Sequence, residues 1–270
     1  MTRSLSLGRR ALFAFSGPDA VRYLNGQLTQ DVRNLGDTAL PACVTDAKGR
    51  LQAYVHVFRC PDDTVWVEAP AELEEELEVR LGRYLIADDA EMENISADWH
   101  LQHLIGATEP ASGLALRSNR LGQPGYDLWL PATETCALPL LQENEAEALR
   151  IAAGVPAWGR ELTPGILPPE ALLDRSAISY HKGCYIGQEV LSRIKTAEKV
   201  NRRLTSFLVE EGSKPGIILL TPEGKEAGTL TSVSPSPDPA TRRFPALGYL
   251  EKSAFGSTEF SASGKQVTAI

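Results

Sequence analysis

The chain has 270 residues, of which 43% are hydrophobic and 23% are charged, and this composition predicts a packed core in two or three structural units. Its formal net charge of -8 and pI near 5.2 argue against nonspecific nucleic-acid binding, which needs a basic surface. No apolar run approaches the roughly 18 residues of a membrane-spanning helix, and the first residues show no signal-peptide pattern. We therefore expect a cytoplasmic protein without a membrane partner.

The four cysteines do not follow a metal-binding pattern. They are Cys43, Cys60, Cys136 and Cys184. No two have a C-x-x-C spacing and none has a histidine at the spacing of a zinc ligand, so we expect no structural metal site. In a reducing cytosol they are expected to be free thiols, although their spacing alone leaves a disulfide open.

The first predicted elements are a short strand and a helix. Residues 11–15 form an apolar run that Gly17 and Pro18 end. Pro18 suits the first turn of a helix, because its missing N–H costs nothing there. Apolar residues then recur at helical spacing, namely Val21, Leu24 and Leu28.

A β-hairpin and an acidic helix follow. Residues 51–57 alternate apolar and polar side chains, which predicts a strand, and residues 64–69 are its expected partner after a Pro-Asp-Asp turn. Residues 71–86 form the clearest predicted helix, because leucines recur along one stripe while glutamates cover the rest as a solvated face. The stripe consists of Leu73, Leu77 and Leu81.

The second half of the chain changes character twice. Residues 125–130 predict a strand, and residues 144–154 predict a helix that Gly154 closes. A stretch rich in Gly and Pro follows, which is too irregular for a regular element. From about residue 203, short strands separated by turns predict a small antiparallel barrel or sandwich.

The stretch HKGCYIGQEV, residues 181–190, holds one cysteine with a lysine two positions before it. The apolar residues before it predict a strand that ends near His181. In such a strand, Lys182 and Cys184 point to the same face, and Gly183 lets another group approach the backbone closely.

A helix is predicted directly after Cys184, from the apolar spacing of Val190, Leu191 and Ile194. A helix N-terminus and a neighbouring ammonium group both stabilise a thiolate, so this is the environment expected of a reactive cysteine. The alternative is a buried small apolar residue. A cysteine–histidine nucleophile pair would need a distant histidine brought in by the fold, namely His56, His100 or His103.

Two charged features surround this stretch. Glu170 follows two prolines, and its carboxylate could accept paired hydrogen bonds from a nitrogen heterocycle such as a pterin; the alternative is a carboxylate that favours a helix N-terminus. A basic strip follows the helix, opposed only by Glu198, and it suits either an anionic ligand tail or solvent. Its residues are Arg193, Lys195, Lys199, Arg202 and Arg203.

Taken together, these segments resemble a known family. KGCYIGQE resembles the signature of the YgfZ-type folate-binding proteins, which are relatives of the glycine-cleavage T-protein, an aminomethyltransferase. Three further segments resemble the family and occur in the right order, so the match covers about residues 10–255. They are FSGPDAVRYLNGQLTQDV, TDAKGRLQAYVHV and EALRIAAGVPAWGRELTPGILPPEALL.

The resemblance implies an α+β, three-lobed fold with a central tetrahydrofolate pocket and a small C-terminal antiparallel β-barrel. The implied domains are a folate-binding core of residues 1–45 plus 140–200, an inserted α+β domain of residues 46–139, and a barrel of residues 203–270. The implied role is assembly or maintenance of iron–sulfur clusters in client enzymes, including radical enzymes that thiomethylate tRNA. We expect a monomer.

The resemblance also assigns site residues. Cys184 is the functional thiol, with Lys182 beside it. The residues expected to contact folate are Glu170, Tyr185, Gln188, Glu189 and Arg203.

One departure from the T-proteins concerns the strand after the Lys48-Gly49 turn. T-proteins carry a pair of aspartates there, one of them catalytic, whereas this chain has Ala53 and Tyr54, which cannot supply a carboxylate. Asp46 lies across the turn and is a poor substitute. We therefore expect folate binding without aminomethyl transfer. A one-carbon transferase and a noncatalytic tRNA-binding scaffold are the alternatives.

Overall fold

The computed structural model describes residues 1–106, 113–197 and 199–270. In chain order its strands and helices are β1 (Arg3–Arg9), β2 (Ala11–Ser16), α1 (Ala20–Gln27), β3 (Leu40–Thr45), β4 (Leu51–Arg59), β5 (Val65–Ala69), α2 (Glu74–Gly82), β6 (Glu91–Asn94), β7 (Trp99–Ile105), β8 (Leu114–Ser118), β9 (Gly125–Pro131), α3 (Glu143–Ala152), α4 (Gln188–Ala197), β10 (Arg202–Val209), β11 (Ile218–Leu220), β12 (Glu226–Val233), β13 (Phe244–Glu251), β14 (Glu259–Ala262) and β15 (Lys265–Ala269). No helix among these residues is both long enough and apolar enough to cross a membrane.

The chain forms two compact units. The first contains Met1–Asn119, Pro124–Leu141 and Leu173–Arg193. The second contains Arg120–Gln123, Gln142–Leu172 and Ile194–Ile270. The residues predicted to form the barrel fall within the second unit, and the predicted three-part division stays a prediction.

A five-stranded antiparallel sheet forms the centre of the first unit, in the order β3-β4-β5-β2-β6. Helices α1 and α2 lie on the face that carries Phe15, whose ring stacks with Tyr23 of α1. Tyr23 in turn donates a hydrogen bond to the carbonyl of Leu81 in α2. The predicted hairpin is confirmed, since His56 of β4 faces Glu68 of β5.

A second antiparallel sheet, in the order β1-β7-β9-β8, covers the opposite face of the first sheet. Aromatic rings fill the space between the two sheets. The ring centroids of Trp66 and Trp99 are 5.0 Å apart, and those of Phe58 and Trp129 are 5.9 Å apart. Edge and tilted contacts of this kind add to the apolar burial that holds the sheets together.

The predicted helix over residues 71–86 is shorter than its leucine pattern indicates. Helix α2 covers Glu74–Gly82, and 3-10 turns flank it at Ala71–Leu73 and Leu85–Ala87. The leucine stripe is buried as expected. The 3-10 turns tighten the two ends, as is common where a helix runs out of intrahelical partners.

The second unit contains a closed antiparallel barrel, in the order β10-β13-β12-β11-β14-β15. The mixed α+β class and the small C-terminal barrel are therefore confirmed. Its core includes Phe207 and Phe260, whose rings meet edge to face at 6.2 Å. Buried charges in this unit are paired, since Glu161 accepts hydrogen bonds from Arg150 (3.0 Å) and from the Ser232 hydroxyl (2.6 Å).

The strand predicted to end near His181 is wrong. The backbone from Ile178 to Cys184 has no regular secondary structure. The amide of Ser179 donates instead to the carbonyl of Thr29 (3.0 Å), so a loop rather than a sheet strand takes its hydrogen bond.

Candidate functional site

Two of the sequence motifs meet in the first unit. The signature segment, which comprises residues 176–189, packs against the C-terminal end of α1 and the loop that follows it. The hydroxyl of Thr29 donates to the carbonyl of Ala177 (2.6 Å), and the amide of Ile186 donates to the carbonyl of Gly26 (3.3 Å). Residues far apart in sequence are thus joined by hydrogen bonds to the backbone.

Lys182 holds the end of α1. Its buried Nζ donates to the carbonyls of Asn25 (2.6 Å), Leu28 (2.8 Å) and Gln30 (2.7 Å). A lysine ammonium has three donors, and these three carbonyls, one near the end of α1 and two in the loop after it, match the donors in number. Burial lowers the pKa of Lys182 to about 8. The sequence predicted that this ammonium would serve Cys184; the structure shows it engaged with backbone carbonyls.

Gly187 allows the signature segment to contact the turn between β3 and β4. Its φ is +89°, and a Cβ there would lie 2.6 Å from the Asp46 carbonyl oxygen and 2.9 Å from the Cα of Gly49. The Thr45 hydroxyl also donates to the carbonyl of Ile186 (2.6 Å). The two glycine-containing turns of the motifs therefore pack directly on each other.

Cys184 is exposed, whereas Cys43 and Cys60 are buried and Cys136 is half-buried. Burial raises the pKa of both Cys43 and Cys60 to about 12, so these thiols are held in the unreactive protonated form. Cys184 precedes α4, as predicted. It does not share a strand face with Lys182, because no strand forms here and Lys182 is buried.

Gly183 does not bring another part of the chain close to the backbone. A Cβ at this position would meet no atom of the described residues within 4 Å. The expected close approach is wrong for contacts within the chain. Gly183 leaves the backbone beside Cys184 open.

The three remaining residues of the motif occupy different environments. Tyr185 is buried in a small apolar cluster with Ile178 and Leu191, and burial raises its pKa to about 12. Gln188 is half-buried at the start of α4. Glu189 is exposed and pairs with Arg193 at 2.9 Å, an i,i+4 pair that contributes about 0.3–0.5 kcal/mol. Their expected contacts with folate stay predictions.

Glu170 lies in the second unit, in a 3-10 turn over Pro168–Ala171. Its buried Oε2 accepts a hydrogen bond from Arg202 Nε at 3.0 Å and one from the amide of Leu167 at 3.4 Å. Among the described residues no group donates to its Oε1. One oxygen of a buried carboxylate is thus held by the chain while the other can accept from a ligand.

Arg202, and not its neighbour, is the arginine that holds Glu170. Arg203 lies instead over the ring of Phe255, with its guanidinium carbon 4.6 Å from the ring centroid. Local sequence does not show the pairing, because 32 residues separate the two partners. Arg193 and Arg202 of the basic strip are both in ion pairs, and Glu198 lies outside the described residues.

The strand that carries aspartates in T-proteins has none here. Ala53 of β4 is buried, and Tyr54 contacts His56 on the same face, with ring centroids 5.3 Å apart. Asp46 is engaged in the turn, where its Oδ1 accepts from the amides of Lys48 and Arg50.

A buried cluster that the sequence analysis did not single out lies beside Tyr54. Glu68 is fully buried and binds Arg10 Nε at 2.6 Å and His56 Nδ1 at 3.0 Å. The predicted hairpin could have indicated the contact between His56 and Glu68, because residues at equal distances from a turn face each other on the two strands. A second buried pair joins His103 and Asp127 at 2.9 Å.

No group of three or more metal-ligating side chains converges anywhere in the described ranges. The two buried histidine pairs each combine one imidazole with one carboxylate. A bound ion needs more ligands than such a pair supplies.

Comparison with solved structures identifies the class of fold. A crystal structure of the glycine cleavage system aminomethyltransferase T from Bartonella henselae is similar with a TM-score of 0.84. The similarity covers 100% of this chain and 84% of that chain, at 17% sequence identity. The protein therefore has the aminomethyltransferase T-protein fold.

Sequence relatives identify the family. The "tRNA-modifying protein YgfZ" of Sodalis glossinidius is 30% identical over 78% of this chain and 72% of its own length. The human mitochondrial "Iron-sulfur cluster assembly factor IBA57" is 26% identical over 82% of this chain and 72% of its own length. No protein-family model matches the chain. The chain belongs to the YgfZ-type family of T-protein relatives.

We predict that Gly187→Ala destabilises the protein while Gly183→Ala does not. The alanine at 187 adds backbone strain at positive φ and clashes with the β3–β4 turn, for a loss of about 2–4 kcal/mol in the free energy of unfolding. Gly183→Ala is the matched control, because a Cβ there meets open space. Urea unfolding monitors both. Equal stability of the two variants would contradict the packing of Gly187 on Gly49.

We predict that Lys182→Met lowers the free energy of unfolding by about 2–4 kcal/mol, because it leaves buried carbonyls without donors. The difference in the free energy of unfolding between wild type and Lys182→Met increases as pH rises. Since burial lowers the pKa of Lys182 from 10.5 to about 8, the unfolded chain binds more protons between these values. The wild-type protein is therefore stabilised by this group as pH rises through that window. Urea unfolding from pH 7 to 10.5 measures both effects.

Lys214→Met, which removes an exposed lysine of the second unit, is the control for that pH series. A difference between wild type and Lys182→Met that shrinks as pH rises would contradict the lowered pKa of Lys182.

Proposed function

We propose that this protein is a tetrahydrofolate-binding accessory protein for assembly or maintenance of iron–sulfur clusters in client enzymes, such as enzymes that thiomethylate tRNA. We further propose that it acts in the cytoplasm as a monomer, with Cys184 as its functional thiol. The names of two relatives support this role, one a tRNA-modifying protein and the other an iron-sulfur cluster assembly factor. Both names fit one role if the client is an iron–sulfur enzyme that modifies tRNA.

The exposed thiol on a fixed segment is the observation that carries this proposal. Cys184 is exposed, while the segment on both sides of it is held by Lys182 and by Gly187. A thiol presented in this way can reach a second protein without a change in the fold. The two thiols whose pKa burial raises to about 12 cannot do so.

The chemistry proposed for the thiol is coordination of cluster iron. On binding iron, the Cys184 thiol would release its proton to solvent and coordinate as a thiolate. One thiolate does not fill the four protein ligands of a typical cluster, so the cluster is cargo that is shared with the client or with small thiols.

The hydrogen-bonding groups around Glu170 fit part of a tetrahydrofolate molecule. The Oε1 of Glu170 accepts no hydrogen bond from the described residues and can accept from the N–H groups of a pterin, while Arg202 fixes the other oxygen. Arg203, Tyr185, Gln188 and Glu189 are proposed as further contacts. When bound, tetrahydrofolate can carry a one-carbon unit. We propose no aminomethyl transfer, because Ala53 and Tyr54 provide no carboxylate.

We predict that Cys184→Ala abolishes support of a tRNA-thiomethylating iron–sulfur enzyme in cells that lack the native protein. Thiomethylated tRNA, measured by mass spectrometry, should fall to the level of the empty-vector strain. Cys136→Ala is the matched control, since it removes the half-buried thiol and should retain full activity. Purified Cys184→Ala should unfold at the wild-type temperature, because the side chain is exposed. Full activity of Cys184→Ala would refute a functional thiol.

We predict that Glu170→Gln weakens tetrahydrofolate binding at least tenfold, because the neutral amide replaces the carboxylate acceptor, at a cost of roughly 1.4 kcal/mol or more. Calorimetric titration of the full chain measures this. Glu223→Ala, at an exposed glutamate of the second unit, should bind as wild type. Saturable binding that is unchanged in Glu170→Gln would place folate elsewhere, and no binding by wild type would remove folate from the proposal.

A further inference from the structure

Arg80 of α2 is a half-buried arginine of the first unit that binds only neutral acceptors. Its Nε donates to Gln52 Oε1 (2.9 Å), its Nη1 to Gln27 Oε1 (2.8 Å), and its Nη2 to the carbonyl of Thr45 (3.2 Å). A guanidinium has five N–H donors, so two of them are not used by these contacts. No carboxylate of the described residues forms an ion pair with it.

Three other buried or half-buried arginines have carboxylate partners, whereas Arg243 of the barrel donates to neutral acceptors, as Arg80 does. Arg10 binds Glu68, Arg150 binds Glu161, and Arg202 binds Glu170. Burying a cation without a counter-ion costs free energy, and burial lowers the pKa of Arg80 accordingly. The guanidinium is therefore placed where an added anion would be bound favourably.

A small cleft lies beside this guanidinium. Its volume is about 60 Å³. The lining residues are Gln52, Ala53, Leu73, Glu76, Leu77 and Arg80. The wall is apolar except for Gln52, Glu76 and Arg80, so a ligand with one charged end and a short apolar end matches it in size and character.

The geometry points to a binding site for a single carboxylate group in this cleft, held by the two unused N–H donors of Arg80. The carboxylate is either a free small acid or the end of a larger ligand. Glu76, exposed at the rim one helical turn before Arg80, opposes a second negative charge and so favours a monoanion. Glu170 is not among the residues that line this cleft.

The site also contacts the signature segment through one residue. Thr45 accepts from Arg80 through its carbonyl and donates to the Ile186 carbonyl through its hydroxyl. Gln27, the second acceptor of Arg80, directly precedes Leu28, whose carbonyl binds Lys182. A bound carboxylate would therefore stabilise the elements that support Cys184.

The test is a titration of the full chain with ¹³C-labelled acetate at constant ionic strength, with sodium chloride as the compensating salt. Line broadening of the acetate signal measures binding. Wild type should bind saturably, and Arg80→Gln should bind at least tenfold more weakly. Ala53→Asp should also lose binding, because it puts a competing carboxylate on the wall of the cleft. Glu76→Gln should bind more tightly than wild type.

Arg243→Gln is the matched control. Arg243 also donates to neutral acceptors, the Thr268 hydroxyl and the carbonyls of Leu208 and Gln266, but it belongs to the barrel. Its loss should leave acetate binding unchanged. Thermal unfolding confirms that each variant is folded; Glu76→Gln and Ala53→Asp keep the test valid if Arg80→Gln does not fold.

A parallel titration with N-acetylglycine distinguishes the two sources of the carboxylate. Binding at least as tight as that of acetate indicates the end of a larger ligand, and binding of acetate alone indicates a free small acid. Absence of saturable binding in both wild type and Glu76→Gln would overturn the proposal. Equal binding by wild type and Arg80→Gln would overturn it as well.

Discussion

The ammonium group of Lys182 binds three backbone carbonyls, one in α1 and two in the loop after it, and the placement of the signature segment depends on this contact. The interaction joins residues that are 157 positions apart in the chain, so it exists only after folding. Three N–H donors meet three backbone acceptors, which satisfies the hydrogen bonding of the ammonium group. The sequence predicts that Lys182 activates the thiol; its ammonium group binds backbone carbonyls, and its role toward Cys184 stays a prediction. Cys184 is exposed two positions after this buried lysine.

Contacts to the backbone also determine how the turn between β3 and β4 packs. Asp46 closes the turn through its own side chain, and Gly187 lets the two turns approach to a distance that a Cβ at this position would prevent. Thr45 then contacts the signature segment with its hydroxyl and Arg80 with its carbonyl. Glycines in a sequence motif are often explained by the close approach of a ligand to the backbone. Here Gly187 serves packing within the chain, and only Gly183 leaves the backbone open.

Among the described residues of the second unit, the buried charges are paired. Arg150 neutralises Glu161, and Arg202 neutralises Glu170. Removing one partner of such a pair is more costly than the pair itself is favourable, because the remaining charge is left in a poorly solvated place. The free Oε1 of Glu170 is notable for this reason. Pairing through one oxygen alone leaves the other oxygen as an acceptor for a ligand.

Local periodicity in the sequence determined the hairpin of residues 51–69, the leucine stripe of α2, the helix after Cys184 and the C-terminal barrel. These follow from patterns of two or about 3.6 residues, which neighbouring residues impose without reference to the rest of the chain. The family signature added the fold class and the candidate residues. Tertiary structure alone decided that Lys182 faces carbonyls, that residues 178–184 form no strand, that Arg202 holds Glu170, and that a second sheet covers the first. Each of these depends on partners far away in sequence, because a side chain or amide binds whatever donor or acceptor the folded chain places beside it.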